Sequence, residues 1–512
     1  MLAKVWSAAT LGIDAVRIII EVDGGHGWTA QPGFTLVGLP DAAVRESYSR
    51  VRSALHNCGL YLPPRYITVN LSPADVRKEG SGFDLPIAIG ILHALEFLRD
   101  EHVAGRVFVG ELSLDGTLTP IRGTLSIAAA LPGDDSIREL IVPAANANEA
   151  AAVQTTRIVG AANLVALLAH LRGEAPIAPT LSSPLVECAS DGADFSDVRG
   201  QAQAKRALEV AAAGGHNVMM IGPPGSGKTM LAKRLASILP RLALDEAIVT
   251  TKIHSVAGTL PPGSGLLTRR PFRAPHHTIS TAGLAGGGTP LRPGEVSLAH
   301  HGVLFLDELA EFRRETLEAM RQPMEDGIVT IARAARTVTY PARFTLAAAL
   351  NPCPCGFFND ARRECICTPP QISRYLAKVS GPLLDRIDLQ VEVAALTSDE
   401  ITATDPGESS EAIRARVETA RQIQRERFRR AHIQSNAEMT TRHMRRCCEL
   451  DVPSRKLLTC AIDRLGLSAR AHDRILKVSR TIADLAGAES IEAGHVAEAV
   501  QYRALDRAYF RT

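Results

Sequence analysis

One stretch near the middle of the chain, residues 218–230, constrains the fold more than any other. It reads VMMIGPPGSGKTM and is followed by LAKRLASIL, which has helical spacing. An apolar strand that leads through the pattern GxxxxGK[ST] into a helix is the phosphate-binding P-loop in its required context. The backbone N–H groups of such a loop and the dipole of the following helix both favour a phosphate chain. The stretch therefore predicts an α/β nucleotide-binding core.

The P-loop pattern assigns a role to each residue of the turn. The residues predicted to bind the nucleotide are Gly222, Pro223, Pro224, Gly225, Ser226, Gly227, Lys228 and Thr229. We expect Lys228 to reach the β- and γ-phosphates and the Thr229 hydroxyl to bind Mg²⁺. ATP and Mg²⁺ are thus the predicted ligands, and a glycine-rich turn without a ligand is the alternative.

Composition limits what the rest of the chain can be. Its 512 residues suffice for about two to four domains. A net charge of only +2 means that any DNA contact must come from local patches or from a ring that concentrates them. We find no signal peptide and no stretch apolar enough to span a bilayer, so we expect a cytoplasmic protein without membrane contacts.

A second apolar strand, within His301–Glu308, ends in two acids. At this distance after a P-loop the pattern predicts that Asp307 holds Mg²⁺ through water and that Glu308 polarises the attacking water as general base. A third strand, Phe344–Leu350, ends at Asn351. This asparagine is either a polar residue that senses the γ-phosphate or a simple strand cap.

Four cysteines follow that strand in the pattern CxC-x9-CxC, namely Cys353, Cys355, Cys365 and Cys367. Four thiolates can make a tetrahedral structural Zn²⁺ site, although CxC is less usual than CxxC. Free thiols and a disulfide are the alternatives, and a reducing compartment disfavours the disulfide. The histidine pairs at 276–277 and 300–301 lack acids at ligand spacing, so we expect loop and strand-edge residues there.

Residues 1–173 alternate between strand and helix patterns and predict one α/β domain. Two motifs, KEGSGFDLP (Lys78–Pro86) and VGELSLDGTLTPIRG (Val109–Gly123), resemble the Lon-protease fold as found in the magnesium-chelatase-like ComM/YifB family. The catalytic Ser and Lys of Lon proteases align with Gly82 and Leu125 here, and Ser81 is one residue away. Because a Ser–Lys dyad needs both partners, we expect an inactive domain that binds a partner or supports assembly.

Further motifs resemble the AAA+ part of the same clade. SGPLLDRIDL (Ser380–Leu389) is similar to the segment that carries an arginine finger, which makes Arg386 the candidate and implies a homo-hexameric ring. An exposed ion pair of Arg386 with Asp385 or Asp388 is the alternative. The resemblance also implies that Arg470 is the sensor 2 arginine of a helical lid, acting on its own or a neighbour's nucleotide.

Two arginine-containing segments are candidates for DNA contacts. Val329–Pro341 has a hairpin pattern, and in the same clade this hairpin lines the central pore, with Arg333 and Arg336 at its tip. Copies around a ring would then face a phosphate backbone; an ordinary solvated hairpin is the alternative. The run Arg421–His432 holds five arginines and one acid, and is a solvated face or a contact for nucleic acid or a neighbouring subunit.

The predicted organisation is an α/β Lon-like domain (1–173), a linker (174–194), an AAA+ P-loop αβα core (195–395, with the four-cysteine insert at 353–367) and a C-terminal helical lid (396–512). The resemblance implies an ATP-driven hexameric motor on single-stranded or branched DNA. It would promote branch migration during natural transformation, alongside recombination proteins. A metal-insertion motor similar to magnesium chelatase, which lacks a Lon-like N-terminal domain, and a protein-remodelling ATPase are the alternatives.

Overall fold

The computed structural model describes residues 2–25, 33–131, 136–154, 156–181, 193–261, 263–289, 291–333, 336–360, 362–396, 400, 407–431, 433–505 and 509, without the side chain at 336. Most of the predicted linker therefore lies outside the described residues. Among the helices of the described part, none combines the length and the apolar character needed to cross a membrane.

The N-terminal segment is built on a mixed sheet of seven strands in the order β3-β4-β2-β1-β5-β8-β9, beside a small hairpin of β6 and β7. Its strands are β1 (Leu2–Leu11), β2 (Asp14–Asp23), β3 (Phe34–Val37), β4 (Ile67–Ser72), β5 (Arg106–Phe108), β6 (Glu111–Leu112), β7 (Leu118–Thr119), β8 (Glu139–Pro143) and β9 (Arg157–Ala161). Its helices are α1 (Ala42–Asn57), α2 (Asp84–Ala94), α3 (Asp100–Val103), α4 (Thr124–Ala130), α5 (Ala147–Ala151) and α6 (Leu164–Leu171).

Helix α2 forms the centre of this segment, because all of its residues are buried. It packs on β1 and β2, which pair antiparallel along their whole length. A Cβ atom on Gly90 would lie 2.7 Å from Cγ2 of Val22, so this glycine allows the helix to approach the sheet closely. The continuous apolar sequence of α2 thus gives a helix enclosed by protein rather than an amphipathic one.

The central segment is built on five parallel strands in the order β11-β14-β17-β10-β18. The strands of the segment are β10 (Val218–Ile221), β11 (Phe272–Arg273), β12 (Gly286–Gly287), β13 (Arg292–Pro293), β14 (Val303–Leu306), β15 (Ile328–Arg333), β16 (Arg336–Pro341), β17 (Thr345–Leu350) and β18 (Leu389–Glu392). The helices are α7 (Ala202–Gly214), α8 (Lys228–Ile238), α9 (Leu244–Ala257), α10 (Thr281–Ala285), α11 (Glu295–Leu298), α12 (Arg314–Glu318), α13 (Arg321–Asp326), α14 (Pro369–Leu376) and α15 (Gly381–Leu384).

Because the five strands are parallel, the sheet has two distinct edges. We call the edge at which the strands end the carboxyl edge, and the edge at which they begin the amino edge. Strands β10, β14 and β17 are buried throughout, as expected for a sheet covered on both faces. Ligands of open α/β sheets bind at the carboxyl edge, which is where the site residues should gather.

In the part that the structure describes, the C-terminal segment consists of helices and their connections, with one isolated β-bridge between Leu450 and Ile491. Its helices are α16 (Ser410–Arg427), α17 (Thr441–Cys447), α18 (Val452–Leu465), α19 (Ala469–Leu485) and α20 (Ala493–Gln501). Apolar residues of these helices join one continuous core with α7, α8 and one face of the central sheet. Within it, the buried carboxylate of Asp484 binds the guanidinium groups of Arg427 and Arg480. The helices therefore pack on the nucleotide-binding core.

The N-terminal and central segments are in direct contact. The Ser255 hydroxyl on α9 donates a hydrogen bond to the Glu149 carboxylate on α5, and the Asn148 amide donates to the Gly263 carbonyl oxygen at 3.1 Å. The β1–β2 turn lies on the β15–β16 hairpin, since a Cβ atom on Gly12 would be 3.0 Å from Cγ1 of Val338. The Lon-like part thus touches both α9 and the predicted pore hairpin.

Candidate functional site

The P-loop connects β10 to α8 at the carboxyl edge of the central sheet. The loop ends in Gly227, at φ 91°, and α8 begins at Lys228. A Cβ atom on Gly222 would lie 2.1 Å from the Val393 carbonyl oxygen, so only glycine fits between the two backbones. A Cβ atom on Gly225 would meet nothing within 4 Å, which leaves one side of the loop open to a ligand.

The side chain of Lys228 is buried beneath this loop. Its ammonium group donates hydrogen bonds to the carbonyl oxygens of Gly222 and Pro223, each at 2.8 Å. Burial lowers the pKa of Lys228 to about 8, against the opposing effect of the Asp307 and Glu308 carboxylates. Among the described residues this cation is held by neutral groups and makes no ion pair, so it suits an incoming phosphate.

Oxygen ligands suitable for Mg²⁺ lie next to the lysine. The Thr229 hydroxyl donates a 2.7 Å hydrogen bond to Oδ2 of Asp307, which follows β14. A hydroxyl and a carboxylate side by side are the donors that Mg²⁺ takes together with phosphate oxygens. The residues present therefore fit the metal that the P-loop implies.

The next residue, Glu308, has a strained backbone. Its φ of 53° places a non-glycine residue in the left-handed region, a conformation that concentrates at functional sites. Its carboxylate is half exposed, and Oε2 lies 3.5 Å from Nδ1 of His277. The sequence analysis missed this neighbour, because His277 lies on the segment after β11 and only the sheet brings the two residues together.

Asn351 is placed by the strand register. It directly follows β17, which pairs with β10 on one side and with β14 on the other. The amide N–H of Gly222 donates to the Leu350 carbonyl oxygen at 3.2 Å, which joins the end of β17 to the start of the P-loop. Asn351 therefore lies at the same edge as Lys228 and Asp307.

The four predicted zinc ligands are gathered into one cluster. Their sulfur atoms all lie within 4.8 Å of one another, and the three measured Sγ–Sγ separations are 3.3, 3.6 and 3.7 Å. Tetrahedral Zn²⁺ with Zn–S distances of about 2.3 Å requires separations of about 3.8 Å. Despite desolvation, hydrogen bonds from the Phe357 backbone and the Cys353 thiol lower the pKa of Cys355 to about 6. The donor set fits a structural zinc ion.

This cysteine loop packs directly on the P-loop. Gly356, between the second and third cysteines, has φ 87°, and a Cβ atom there would lie 2.5 Å from Cδ of Pro224. The conformation of the cysteine cluster is therefore coupled by contact to the phosphate-binding turn. The sequence placed the cluster after Asn351 but gave no indication of this contact.

Arg386 lies at the amino edge, away from the P-loop of its own chain. Its carbonyl oxygen accepts a 3.0 Å hydrogen bond from the side chain of Asn217, the residue before β10. The residue is 8% exposed, and its guanidinium binds the Glu325 carboxylate and the Pro382 carbonyl oxygen. The predicted alternative, an exposed pair with a neighbouring aspartate, is not what forms, because α13 supplies Glu325 instead.

Arg470 lies beside the same segment. Its side chain is 66% exposed, and Nη1 is 3.5 Å from Oδ2 of Asp385. One turn later, Arg474 donates a 2.5 Å hydrogen bond to the buried Asp388. Burial opposes ionisation of that carboxyl group, but Arg474 and His216 hold the pKa of Asp388 well below its usual range. Arg474 therefore fixes the segment structurally, whereas the exposed Arg470 is accessible to a ligand.

The predicted hairpin is formed by β15 and β16. Arg333 and Arg336 are paired across it, and the Arg333 side chain is exposed. The two residues between them and the side chain of Arg336 lie outside the described residues. A Cβ atom on Gly286 would lie 2.6 Å from Cδ1 of Ile331, so the insert before β14 packs against the hairpin.

The two positions aligned with a Lon dyad are occupied by Gly82 and by Leu125, which is fully buried in α4. The Ser81 hydroxyl donates to the Glu111 carboxylate. Lys78, a buried lysine of the first motif, donates to the Pro73 carbonyl oxygen, and burial lowers its pKa.

Three family models match successive parts of the chain. "Subunit ChlI of Mg-chelatase" matches residues 20–146, "Magnesium chelatase, subunit ChlI" matches 194–401, and "Magnesium chelatase, subunit ChlI C-terminal" matches 407–503. The competence protein ComM of Haemophilus influenzae is 46% identical over 512 residues, covering 99% of this chain and 98% of that protein. The chain belongs to the ComM/YifB family.

Other relatives agree with this assignment. The protein YifB of Salmonella typhimurium is 43% identical over 511 residues, which cover 99% of this chain and 98% of that protein. An archaeal Lon protease of Methanothermobacter thermautotrophicus is 40% identical over 75 residues, 14% of this chain and 12% of that protein. The predicted fold class is confirmed: this ComM/YifB protein combines a Lon-like α/β segment, a magnesium-chelatase-type AAA+ core and C-terminal helices.

Proposed function

We propose that this chain is an ATP hydrolase that works as a homo-hexameric ring in the cytoplasm and moves along DNA. It would promote branch migration of recombining strands during natural transformation, together with recombination proteins. The relative named as a competence protein covers almost the whole chain and supports this biological setting. The P-loop, the acids after β14 and the cationic hairpin support the motor chemistry.

The position of Arg386 carries the proposal of a ring. The P-loop lies at the carboxyl edge and Arg386 at the amino edge, separated by the four residues of β10, which span about 13 Å at roughly 3.3 Å each. An arginine at that distance serves no nucleotide of its own chain, but a neighbour packed against the amino edge could present its own P-loop there. Arg470 is near the same edge, so we assign it to the neighbour's nucleotide as well.

In the proposed mechanism the chain's own groups bind and orient the substrate ATP. Lys228 leaves its carbonyl partners for the β- and γ-phosphates, and Asn351 orients the attacking water. Glu308 accepts the proton of that water. The neighbour's Arg386 leaves its Glu325 partner and stabilises charge that develops on the transferred phosphoryl group. Mg²⁺ bound by Thr229 and Asp307 would supply further charge neutralisation at the phosphates.

The DNA contact is assigned to the hairpin. Arg333 and Arg336 are paired near its tip, and six copies in a ring would present twelve cations to one strand. Binding would come from counterion release and would not depend on sequence. Strand movement would follow from displacement of the hairpin during each ATP cycle.

The test is branch migration of a four-way junction, with ATP turnover measured in parallel. We expect Glu308→Gln to lower kcat by about 10²- to 10⁴-fold, because the general base is lost, and to abolish migration while ATP still binds. DNA should raise wild-type turnover, and Arg333→Ala with Arg336→Ala should remove that stimulation. Failure of DNA to bind or to stimulate would reject the motor on DNA.

The magnesium-chelatase family models favour one second candidate, a metal-insertion motor. The same turnover assay with porphyrin and Mg²⁺ in place of DNA tests it. Unfolded protein as the added substrate tests a protein-remodelling ATPase. Stimulation by either, without stimulation by DNA, would select that alternative.

We further propose that the four cysteines hold one structural Zn²⁺ per chain. The mutual Sγ distances support a tetrahedral site, and Cys353 is fully buried. Elemental analysis of protein purified without added metal should find about one zinc per chain. Cys365→Ser should lose it, whereas Cys460→Ser, which changes an exposed cysteine outside the cluster, should keep it. A wild-type protein without zinc would contradict the proposal.

A further inference from the structure

The C-terminal helices form a strongly basic groove that the nucleotide site does not use. It has a volume of about 1550 Å³ and lies between the end of α16 and helix α17. We call it the arginine groove. Six arginines line it, namely Arg427, Arg429, Arg430, Arg442, Arg445 and Arg446. One carboxylate, that of Glu426, lines it as well.

Only one of the six arginines has a structural role in the described part of the chain. Arg427 donates to the buried Asp484 at 2.8 Å and helps to hold α16 against α19. The other five are exposed, and none of them makes an ion pair with a described residue. Because the whole chain carries a net charge of only +2, this concentration of cations is local.

The two walls of the groove are fixed relative to each other. Phe428, 2% exposed, anchors the end of α16, and its ring lies 5.9 Å from the ring of His443 on α17. On α17, Arg442, Arg445 and Arg446 have i, i+3, i+4 spacing and therefore share one face, while Met444 is buried. The arginines are thus presented by a packed framework.

Helix stability explains only part of this charge. A cation in the last turn of a helix interacts favourably with the helix dipole, which suits Arg445 and Arg446. Arg442, however, lies in the first turn of α17, where the dipole disfavours a cation. Five guanidinium groups without carboxylate partners among the described residues also repel one another. An anionic ligand would relieve both effects.

The chemistry of the groove selects the ligand. Guanidinium groups bind phosphate with two parallel hydrogen bonds, which makes arginine suited to phosphodiester chains. Apart from Ala431 the lining residues are polar or charged, so a membrane surface or an amphipathic acidic peptide would find no apolar anchor among the described residues. The described lining contains no Phe, Tyr or Trp to stack on unpaired bases, and its one imidazole, that of His443, is half-buried against Phe428. The backbone of double-stranded nucleic acid fits best.

We propose that the arginine groove binds the phosphate backbone of duplex DNA without regard to sequence, as a second contact separate from the β15–β16 hairpin. This inference rests on the proposed function. The groove would bind the duplex that flanks the strand moved by the hairpin. An acidic protein segment is the alternative ligand for this groove, and the test below distinguishes it from DNA.

The test is fluorescence anisotropy of a labelled duplex with the full chain, from about 50 to 200 mM salt. The triple variant Arg429→Gln, Arg430→Gln, Arg442→Gln should bind about 10- to 100-fold more weakly, and its salt slope should fall by about 2–3, since each phosphate contact contributes roughly 0.9. The matched control Arg45→Gln, Arg52→Gln, Lys456→Gln removes three exposed cations outside the groove and should bind like wild type. Elution volume and thermal unfolding establish that both variants are folded.

Four results would overturn the proposal that the arginine groove binds duplex DNA. Wild-type duplex affinity in the triple variant would do so while leaving the motor proposal intact, whereas absence of any DNA binding by wild type would defeat both. A triple variant that folds but no longer forms the ring would make the groove a subunit contact. Displacement of the duplex by polyglutamate at equal charge concentration would assign it to an acidic protein.

Discussion

The Nδ1 atom of His277 lies 3.5 Å from Oε2 of Glu308, the residue proposed as general base. Glu308 is held in a left-handed backbone conformation directly after Asp307, and its side chain is half exposed. The contact thus gives the carboxylate a defined direction. The neighbouring His276 contacts the Thr278 hydroxyl at 2.9 Å, and its ring lies 4.1 Å from the ring of His277. Among the described contacts, His277 and not His276 is paired with Glu308.

The first prediction concerns this contact. His277→Ala should lower kcat for ATP about 10-fold, less than loss of the base itself, because Glu308 is present but poorly oriented. The KM for ATP should stay unchanged. His276→Gln is the matched control, because it keeps a side chain of similar length beside the His277 ring, and it should hydrolyse ATP close to the wild-type rate. Equal effects of the two substitutions would remove His277 from the mechanism.

The second prediction tests whether Arg386 acts across the subunit interface. Arg386→Ala and Glu308→Gln should each be nearly inactive alone. In an equimolar mixture that exchanges subunits, about a quarter of the interfaces would combine an intact base with an intact arginine, and turnover should reappear. If the mixture is as inactive as its components, Arg386 either acts on the nucleotide of its own chain or does not take part in hydrolysis.

The third prediction concerns the contact between the cysteine loop and the P-loop. Gly356→Ala adds a methyl group 2.5 Å from Pro224 at φ 87°, and should weaken ATP binding about 10-fold through displacement of the loop. Gly173→Ala changes a glycine at φ 76° with nothing within 4 Å. It should cost about 1–2 kcal/mol of stability for the same backbone reason and leave ATP affinity unchanged. Isothermal titration with ATP and thermal unfolding would separate the two effects.

The fourth prediction is a pH dependence of ATP binding. With a pKa of about 8 in the free protein, Lys228 is protonated at pH 7 and loses its proton as the pH rises through 8. ATP binds the protonated form, so affinity should be flat below that pH and fall up to tenfold per pH unit above it. The phosphates of ATP titrate at a lower pH of about 6, so they do not contribute to the fall in affinity above pH 8. Lys228→Arg should bind more weakly but without this step.

Most of the nucleotide site could be predicted from the sequence because its signals are local. A strand, a glycine-rich turn and a helix start identify Lys228 and Thr229, and an apolar strand that ends in two acids identifies Asp307. Parallel strands then bring these ends together without further information. Strand ends were accurate to about a residue: Phe344–Leu350 was predicted and Thr345–Leu350 is observed.

The missed features all depend on contacts between distant segments. The pairing of Arg386 with Glu325 joins residues 61 positions apart and requires the packing of α13 beside α15. His277 reaches Glu308 only because β11 and β14 are neighbours in the sheet. The sequence likewise singled out the arginines at the end of α16, but the wall contributed by α17 becomes evident only when Phe428 and His443 meet.

The contact between the β1–β2 turn and Val338 affects how the β15–β16 hairpin can move. Ile13 packs on the same apolar cluster as the hairpin strands, so a hairpin that shifted alone would uncover that side chain to water. Exposing the Ile13 side chain would cost up to about 1.5–3 kcal/mol of burial free energy each time the hairpin moved. Less free energy would be lost if the amino-terminal sheet moved together with the hairpin, so under the proposed function we expect the Lon-like segment and the hairpin to move as one rigid unit.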